Sequence, residues 1–540
     1  MIERLKEELG LPSLVARILI SRGIESPEEA EKFLYPDLRD LSDPFLLPDM
    51  DLAVGRVIRA LMNKERICIY SDYDADGVTS AAIMLNFFKE LKIDVDYYIP
   101  TRDEGYGLNG EAVKEISKKN IRLLFTLDCG STNFDEIALA KSFGIDTIVI
   151  DHHEVKESHP PSYAFVNPKR KDSVFPTPDL AACGVTFFFL IALRRELVRN
   201  GIIDSQINLR KELDLVALGT IGDMVPLVRD NRIITKFGIE AMRKKPRQWL
   251  KSFYLTKTLP QKRLDDYQLS FIVVPRINAP GRISDAEKSL KFLIEKDPEA
   301  SIMLLEELNE ANRKRQAIEE NILKEIENFL SEREITEKKA FVLYNESWHV
   351  GVIGIVAQRI AEQYGKPTIV LTSVDGVIRG SGRGVEGLDL HKSLSAISHL
   401  LIRYGGHKYA CGLSLSSDKL EPFSQAFEMA VRSFPYEKAK VSFDTEADFD
   451  ELTREAIEAL ELLGPFGYGN PHPRILLFPE SILDLGGRLK IIDKRKRVWY
   501  GSIQRSLGGI PEKVSGIVVT PYVKEEIGEE FVNLLVRGVI

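Results

Sequence analysis

Apolar runs alternate with amphipathic stretches along much of the chain. A helical pattern from Ala53 ends near Asn63, and the short, unbroken, β-prone run Ile67-Cys68-Ile69-Tyr70 follows it. Such a run predicts a buried parallel strand. The alternation continues with a helix from Val78 to Leu91, a strand from Val95 to Ile99, a helix from Gly110 to Lys118 and a strand from Arg122 to Leu127. It ends with a helix from Phe134 to Phe143 and a strand from Asp146 to Ile150. This rhythm predicts an α/β domain built on a parallel sheet. Before residue 50, the break Tyr35-Pro36-Asp37 and the prolines Pro44 and Pro48 predict short helices without a large core of their own.

The second half has three textures. After Pro298, apolar Leu305, Leu308, Ile318, Ile322, Ile326 and Phe329 recur at helical spacing among many charges, which predicts one long helix to about Arg333. At ~1.5 Å per residue it would span ~50 Å, enough to tie two domains together and set a cleft between them. Residues 338–434 alternate strand and helix again. From about Val441 the chain carries short β-prone segments (Arg474 to Phe478, Leu489 to Ile492, Gly516 to Val519, Phe531 to Val536), which read as a small OB-like β-barrel. The division expected is a helical lead-in at 1–50, a catalytic domain at 51–297, a connecting helix at 298–337, an accessory α/β domain at 338–434 and a C-terminal barrel at 435–540.

Composition agrees with several domains: 540 residues exceed the ~250–300 that one core supports. No run of about 18 apolar residues and no basic-then-apolar leader occurs, so neither a membrane span nor export is expected and the cytoplasm is the default. The four cysteines are scattered and read as core residues. A net charge of −8 argues against a polyanionic partner, but its distribution changes that picture. Basic residues from Arg243 to Arg263 are interleaved with Trp249, Phe253 and Tyr254, and Arg488, Lys490, Lys494, Arg495, Lys496 and Arg497 precede Trp499-Tyr500. Basic-aromatic mixtures hold a nucleic-acid backbone and stack its bases; either tract alone reads equally well as a solvated face.

The candidate chemistry lies at strand ends. The first strand runs into Asp72-Tyr73-Asp74-Ala75-Asp76-Gly77, a later one into Asp128-Cys129-Gly130, and another into Asp151-His152-His153; the helix from Leu213 leads to Gly222-Asp223. In a parallel sheet these ends share one edge, where such folds bind ligands. Each acid alone is as easily a helix cap, and a lone histidine is more often a satisfied polar residue than a ligand. Acids and histidine at several strand ends together point to a dinuclear centre with oxygen and imidazole ligands, which suits Mn²⁺ over Mg²⁺. Gly380-Ser381-Gly382-Arg383-Gly384 and Gly405-Gly406-His407 are turns able to approach a phosphate.

These motifs, in order, resemble the DHH phosphoesterase superfamily. Pro275-Arg276-Ile277-Asn278-Ala279-Pro280-Gly281-Arg282 is similar to its N-A-x-G-R motif, and Leu308-Asn309-Glu310-Ala311-Asn312-Arg313-Lys314-Arg315-Gln316 to the connecting helix of its RecJ branch. Trp348-His349-Val350-Gly351, Ser381-Gly382-Arg383 and Gly405-Gly406-His407 resemble the accessory DHHA1 domain, with Cys411 where alanine is usual. The resemblance implies a metal-dependent 5′-to-3′ exonuclease on single-stranded DNA, working in repair and recombination with other repair proteins as partners. It implies Asp74, Asp76, Asp128, His152 and Asp223 as ligands of two divalent cations, Mn²⁺ preferred and Mg²⁺ as the alternative. Asp72 is either a ligand or an outer-shell partner. It further implies His153 on the phosphate with Asp151 behind an imidazole. Arg276, Asn278, Arg282, Ser381, Arg383 and His407 would bind substrate phosphate, and Arg495, Arg497, Trp499 and Tyr500 the distant strand. Two alternatives stay open: a DHH enzyme for short oligonucleotides or cyclic dinucleotides, and an inactive nucleic-acid-binding relative.

Overall fold

The computed structural model describes residues 1–540 except 106, 205, 261–263, 331, 435–440, 505, 506, 508, 512, 513, 527 and 528, and except the side chains of 103, 332–334, 525, 526, 529 and 530. The chain divides into two compact units. One comprises Pro27–Asn312 with Glu461–His472; the other comprises Met1–Ser26, Arg313–Leu460 and Pro473–Ile540.

The first unit holds a five-stranded sheet in the order β2-β1-β3-β4-β5, with β1 at Arg66–Ser71, β2 at Asp96–Tyr98, β3 at Ile121–Leu127, β4 at Asp146–Ile150 and β5 at Ala164–Val166. Every pairing is parallel, as the apolar β-prone runs predicted. The helices Ala75–Glu90 and Ala182–Arg199 share one core with the inward faces of β1, β3 and β4 through Val78, Phe88, Phe125, Ile148, Phe188 and Phe189. The three-residue β5 gave no periodic signal and was not expected.

Among the described residues of the tract from Arg243 to Arg263, two of the three aromatics face inward. Trp249 and Phe253 are fully buried in this core, and Arg247 is paired with Glu212 and Asp214 at 2.8 Å each. The burial of an apolar face outweighed the reading of those aromatics as base platforms; Lys262 and Arg263 lie outside the described residues.

The long helix is present over Pro298–Phe329, with a second helix at Glu332–Glu337. In the second unit a five-stranded sheet has the order β6-β7-β8-β10-β9, with β6 at Phe341–Tyr344, β7 at Thr368–Val374, β8 at Val377–Arg383, β9 at Arg403–Gly406 and β10 at Ala410–Leu415. A seven-stranded sheet follows in the order β11-β12-β16-β17-β15-β14-β13. Its strands are Thr445–Glu446, Ile475–Leu477, Ser481–Asp484, Arg488–Ile492, Val498–Ile503, Ile517–Glu526 and Glu529–Val539 for β11 to β17. Among the described residues β11 and β13 remain edges, so the expected OB-like barrel is an open mixed sheet here. β-prone segments announce strands, whereas closure depends on register and tilt. The N-terminal helix Ser13–Ser21 belongs with this unit: Arg17 pairs with Glu451 at 2.8 Å and Arg22 with Asp444 at 2.9 Å. The expected boundary at 434/435 falls beside residues 435–440, which lie outside the described ones. No helix among the described residues is long and apolar enough to cross a membrane.

Candidate metal centre and substrate contacts

Strand register explains why residues far apart in sequence meet. Asp72 follows β1 and donates its N–H to Leu127 O at 3.2 Å; Asp128 follows β3 and donates to Ile150 O at 3.1 Å; Asp151 follows β4 and donates to Val166 O at 3.1 Å. Each acid is pinned by the last residue of the neighbouring strand, so their carboxylates line one edge. Asp128 adopts φ +60°, a conformation Asp tolerates better than most residues and one that collects at functional sites.

The remaining acids arrive on helices. Asp74 caps the helix Ala75–Glu90 by accepting from Asp76 N and Gly77 N at 2.9 and 3.1 Å. Asp76 accepts from Ala182 N at 2.6 Å and Cys183 N at 2.8 Å, at the positive end of the helix Ala182–Arg199. Asp223 ends the helix Leu213–Gly222. That helix approaches the first one closely because Gly222 is bare; a Cβ there would lie 2.8 Å from Ala75 Cβ.

Ligand-type atoms of Asp72, Asp74 and Asp128 lie within 4.8 Å of one another, as do those of Asp76, His152 and Asp223. His152 connects the groups: its Nε2 is 3.3 Å from Asp128 Oδ1 and 3.8 Å from Asp76 Oδ2, and its Nδ1 is 3.6 Å from Asp223 Oδ2. Asp151 lies in a third group, with Asp128, His152 and His153, whose ligand-type atoms are also within 4.8 Å of one another. It accepts from Ser131 N and His152 N and pairs with His153 Nδ1 at 2.7 Å.

The electrostatics follow from this crowding. Burial, then the neighbouring acids, raise Asp72, Asp128 and Asp223 well above the usual carboxylate range and push Asp76 up to about 6. Burial and the charge of His153 push His152 down to about 3, which leaves a neutral imidazole. Burial opposes charge on His153 as well, but Asp151 outweighs it and raises His153 to about 9. Among the described residues, Asp72 Oδ1 and His152 Nε2 are buried with no hydrogen-bond partner. Crowded acids, a neutral imidazole and bare ligand atoms fit a site for divalent cations.

The residues expected to contact phosphate are distributed over both units. Asn278 Oδ1 accepts from Ala75 N at 2.7 Å, so it braces the acid-bearing turn. Gly281 lies where a Cβ would meet Tyr73 O at 2.5 Å. Arg276 donates to Asn309 Oδ1 and Ile272 O at 2.7 and 2.6 Å, and Arg282 is half-buried on the same segment. Ser381 and Arg383 lie on β8 of the second unit, where Arg383 donates to Ser381 Oγ at 3.1 Å, and His407 follows β9. In the seven-stranded sheet Arg495 and Arg497 are both paired with Asp450 at 2.6 Å. Trp499 packs on Phe449 with centroids 5.4 Å apart and donates to Asp493 at 3.2 Å, while Tyr500 is exposed with Arg488 over its ring.

Two contributors escaped the sequence reading. Arg102 lies over the Tyr73 ring at 5.4 Å and its charge lowers the cost of ionising Asp72; its only signal is a lone basic residue after β2. The amides of Ala182 and Cys183 carry no side-chain signal at all.

A parallel sheet with acids and histidine at its carboxyl edge is the frame of a DHH-domain protein. Residues 66–220 match the DHH family N-terminal domain and residues 337–433 match the DHHA1 domain. The single-stranded-DNA-specific exonuclease RecJ of Bacillus subtilis is 34% identical over 88% of this chain and 60% of its own length, and that of Salmonella typhimurium is 33% identical over 90% and 85%. The crystal structure of RecJ in complex with Mn²⁺ from Thermus thermophilus superposes with a TM-score of 0.84 at 28% identity, covering 100% of this chain and 77% of that one. The chain belongs to the RecJ family. It spans about 60% of the Bacillus subtilis relative.

Proposed function

We propose that this chain is a metal-dependent 5′-to-3′ exonuclease that hydrolyses the phosphodiester bonds of single-stranded DNA. The reading is carried by one observation: the carboxylate edge, with buried ligand atoms left bare, in a chain of the RecJ family. Asp72, Asp74 and Asp128 would hold one cation and Asp76, His152 and Asp223 the other. When bound, two Mn²⁺ ions, or Mg²⁺, supply a water nucleophile at neutral pH and neutralise charge on the phosphoryl group. The amides of Ala182 and Cys183 orient Asp76. His153, held as an imidazolium by Asp151, presents positive charge to the phosphate oxygens.

Arg276, Arg282, Ser381, Arg383 and His407 take the strand's phosphates, while Asn278 supports the turn that carries the ligands. Tyr500 with Arg488 is the part of the C-terminal sheet we assign to the distant strand. The five-segment division divides the work between chemistry in 51–297 and grip in 338–540, in the cytoplasm and beside other repair proteins.

The test is digestion of single strands labelled at the 5′ or the 3′ end, with and without Mn²⁺. Mononucleotide release from the 5′ end that depends on the metal is expected. Release from the 3′ end, or cleavage of very short oligonucleotides alone, would overturn the assignment.

A further inference from the structure

The segment Glu461–His472 stands in sequence between strands of the C-terminal sheet, yet it folds with the catalytic unit. Arg232, 3% exposed, anchors it by donating to Leu463 O at 2.8 Å, Gly464 O at 2.9 Å and Leu462 O at 3.3 Å. Its guanidinium also lies 3.7 Å from the centroid of the Phe33 ring. Asn470 closes the segment on itself through Leu463 O and Pro465 O, both at 2.8 Å. The far end of this loop rests on the turn that follows Asp223. Leu227 donates its N–H to Tyr468 O at 2.8 Å. Gly469, at φ +74°, lies so close that a Cβ would be 2.8 Å from Pro226 Cβ and 3.0 Å from Pro226 Cα.

The turn needs such a restraint. Asp223 is followed by Met224 in the left-handed region, φ +58°, and its carboxylate faces the like charges of Asp76 and Asp74. The Asp223 carboxylate lies 3.6 Å from His152 Nδ1, and the restraint acts through the backbone that follows it.

We propose that Glu461–His472 is a positioning strap. The Tyr468-Gly469 backbone fixes the turn after Asp223 and thereby sets the affinity of the Asp76/His152/Asp223 group for its cation. The inference rests on the reading of that group as a cation site. It also means that a truncation removing the C-terminal sheet must retain Glu461–His472 if the chemistry is to be kept.

Gly469→Ala in the full chain tests it, because the new methyl meets the ring of Pro226 and no ligand. Gly467→Ala is the graded variant: its Cβ would meet only the Leu227 side chain, with Cδ1 nearest at 2.8 Å. Gly376→Ala is the control, with a similar φ of +78° and nothing within 4 Å. Calorimetric titration with Mn²⁺, without DNA, should show Gly469→Ala weakening one binding step on the order of 10–100-fold, the range for outer-shell supports. Gly467→Ala should shift the same step less, and Gly376→Ala not at all. The Mn²⁺ midpoint for hydrolysis should move in parallel, with kcat recovered at saturating Mn²⁺.

A folded Gly469→Ala that binds Mn²⁺ like the parent, or a control that shifts as far, would overturn the strap. If Gly469→Ala does not fold, an unshifted Gly467→Ala overturns it. A parent that binds Mn²⁺ and cleaves no strand sinks the exonuclease reading and leaves the strap to be decided by calorimetry. A parent that binds no Mn²⁺ overturns both.

Discussion

At the carboxyl edge of the first sheet carboxylates face carboxylates, whereas beside β14 and β15 arginines face carboxylates. In the first region burial and the neighbouring acids raise Asp72, Asp128 and Asp223, and the nearby cations His153, Arg102 and Lys169 offset this only in part. The second compensates its charge internally. Burial opposes ionisation of Asp493, but the amides of Arg497 and Arg495, the Trp499 indole and the Arg497 guanidinium hold it low, and Asp450 takes both arginines. Density of charge in a sequence therefore says little about a binding site. What matters is whether the fold leaves the charge without a partner, because only then does a ligand gain more than solvent or an existing ion pair supplies.

The comparison breaks most clearly at Asp128. Asp128→Ala should reduce hydrolysis by on the order of a thousandfold or more, since cation charge at the phosphoryl group contributes several kcal/mol and each ~1.4 kcal/mol is a factor of ten. Metal-free thermal stability should change little, because relief of repulsion among the buried acids offsets the cost of alanine at φ +60°. Mn²⁺ should raise the melting temperature of the parent well above that of the variant. Near-parental turnover by a folded variant would remove Asp128 from the centre.

Arg383 offers a smaller effect of a different kind. Its guanidinium is half-buried and its described hydrogen bonds go to Ser381 Oγ and Gly382 O, with no acid among them. Arg383→Ala should raise KM for a 5′-phosphorylated strand by about 10–100-fold, the worth of a hydrogen bond to a charged group at ~1.5–3 kcal/mol, and leave the Mn²⁺ midpoint where it was. An unchanged KM would take Arg383 out of the substrate path.

The smallest effects sharpen the other side of the comparison. Tyr500→Ala should weaken binding of long single strands roughly fivefold, the low end of the ~1–3 kcal/mol that a stacked base contributes. Arg495→Ala, which removes a side chain already paired with Asp450, should change it less than about twofold. Filter binding at two salt concentrations measures both. Equal losses would show that Arg495 leaves Asp450 for the strand.

By itself the sequence determined the parallel α/β frame, the acids and histidine at its strand ends and the long helix, because strand propensity, helical period and turn chemistry are set within a few residues of each position. The family motifs were legible for the same reason: each is a short local pattern. Tertiary structure alone decided that Trp249 and Phe253 are core, that Arg495 and Arg497 pair with Asp450, and that β11 and β13 remain edges among the described residues. It alone joined Asp76 to the amides of Ala182 and Cys183, and Tyr468 to the turn after Asp223. Those partners lie far apart along the chain, and no local pattern records which backbone group or opposite charge packing will bring to a side chain. Burial and pairing are properties of the packed whole, and they separate a buried cluster of acids that can bind metal from exposed arginines that already have carboxylate partners.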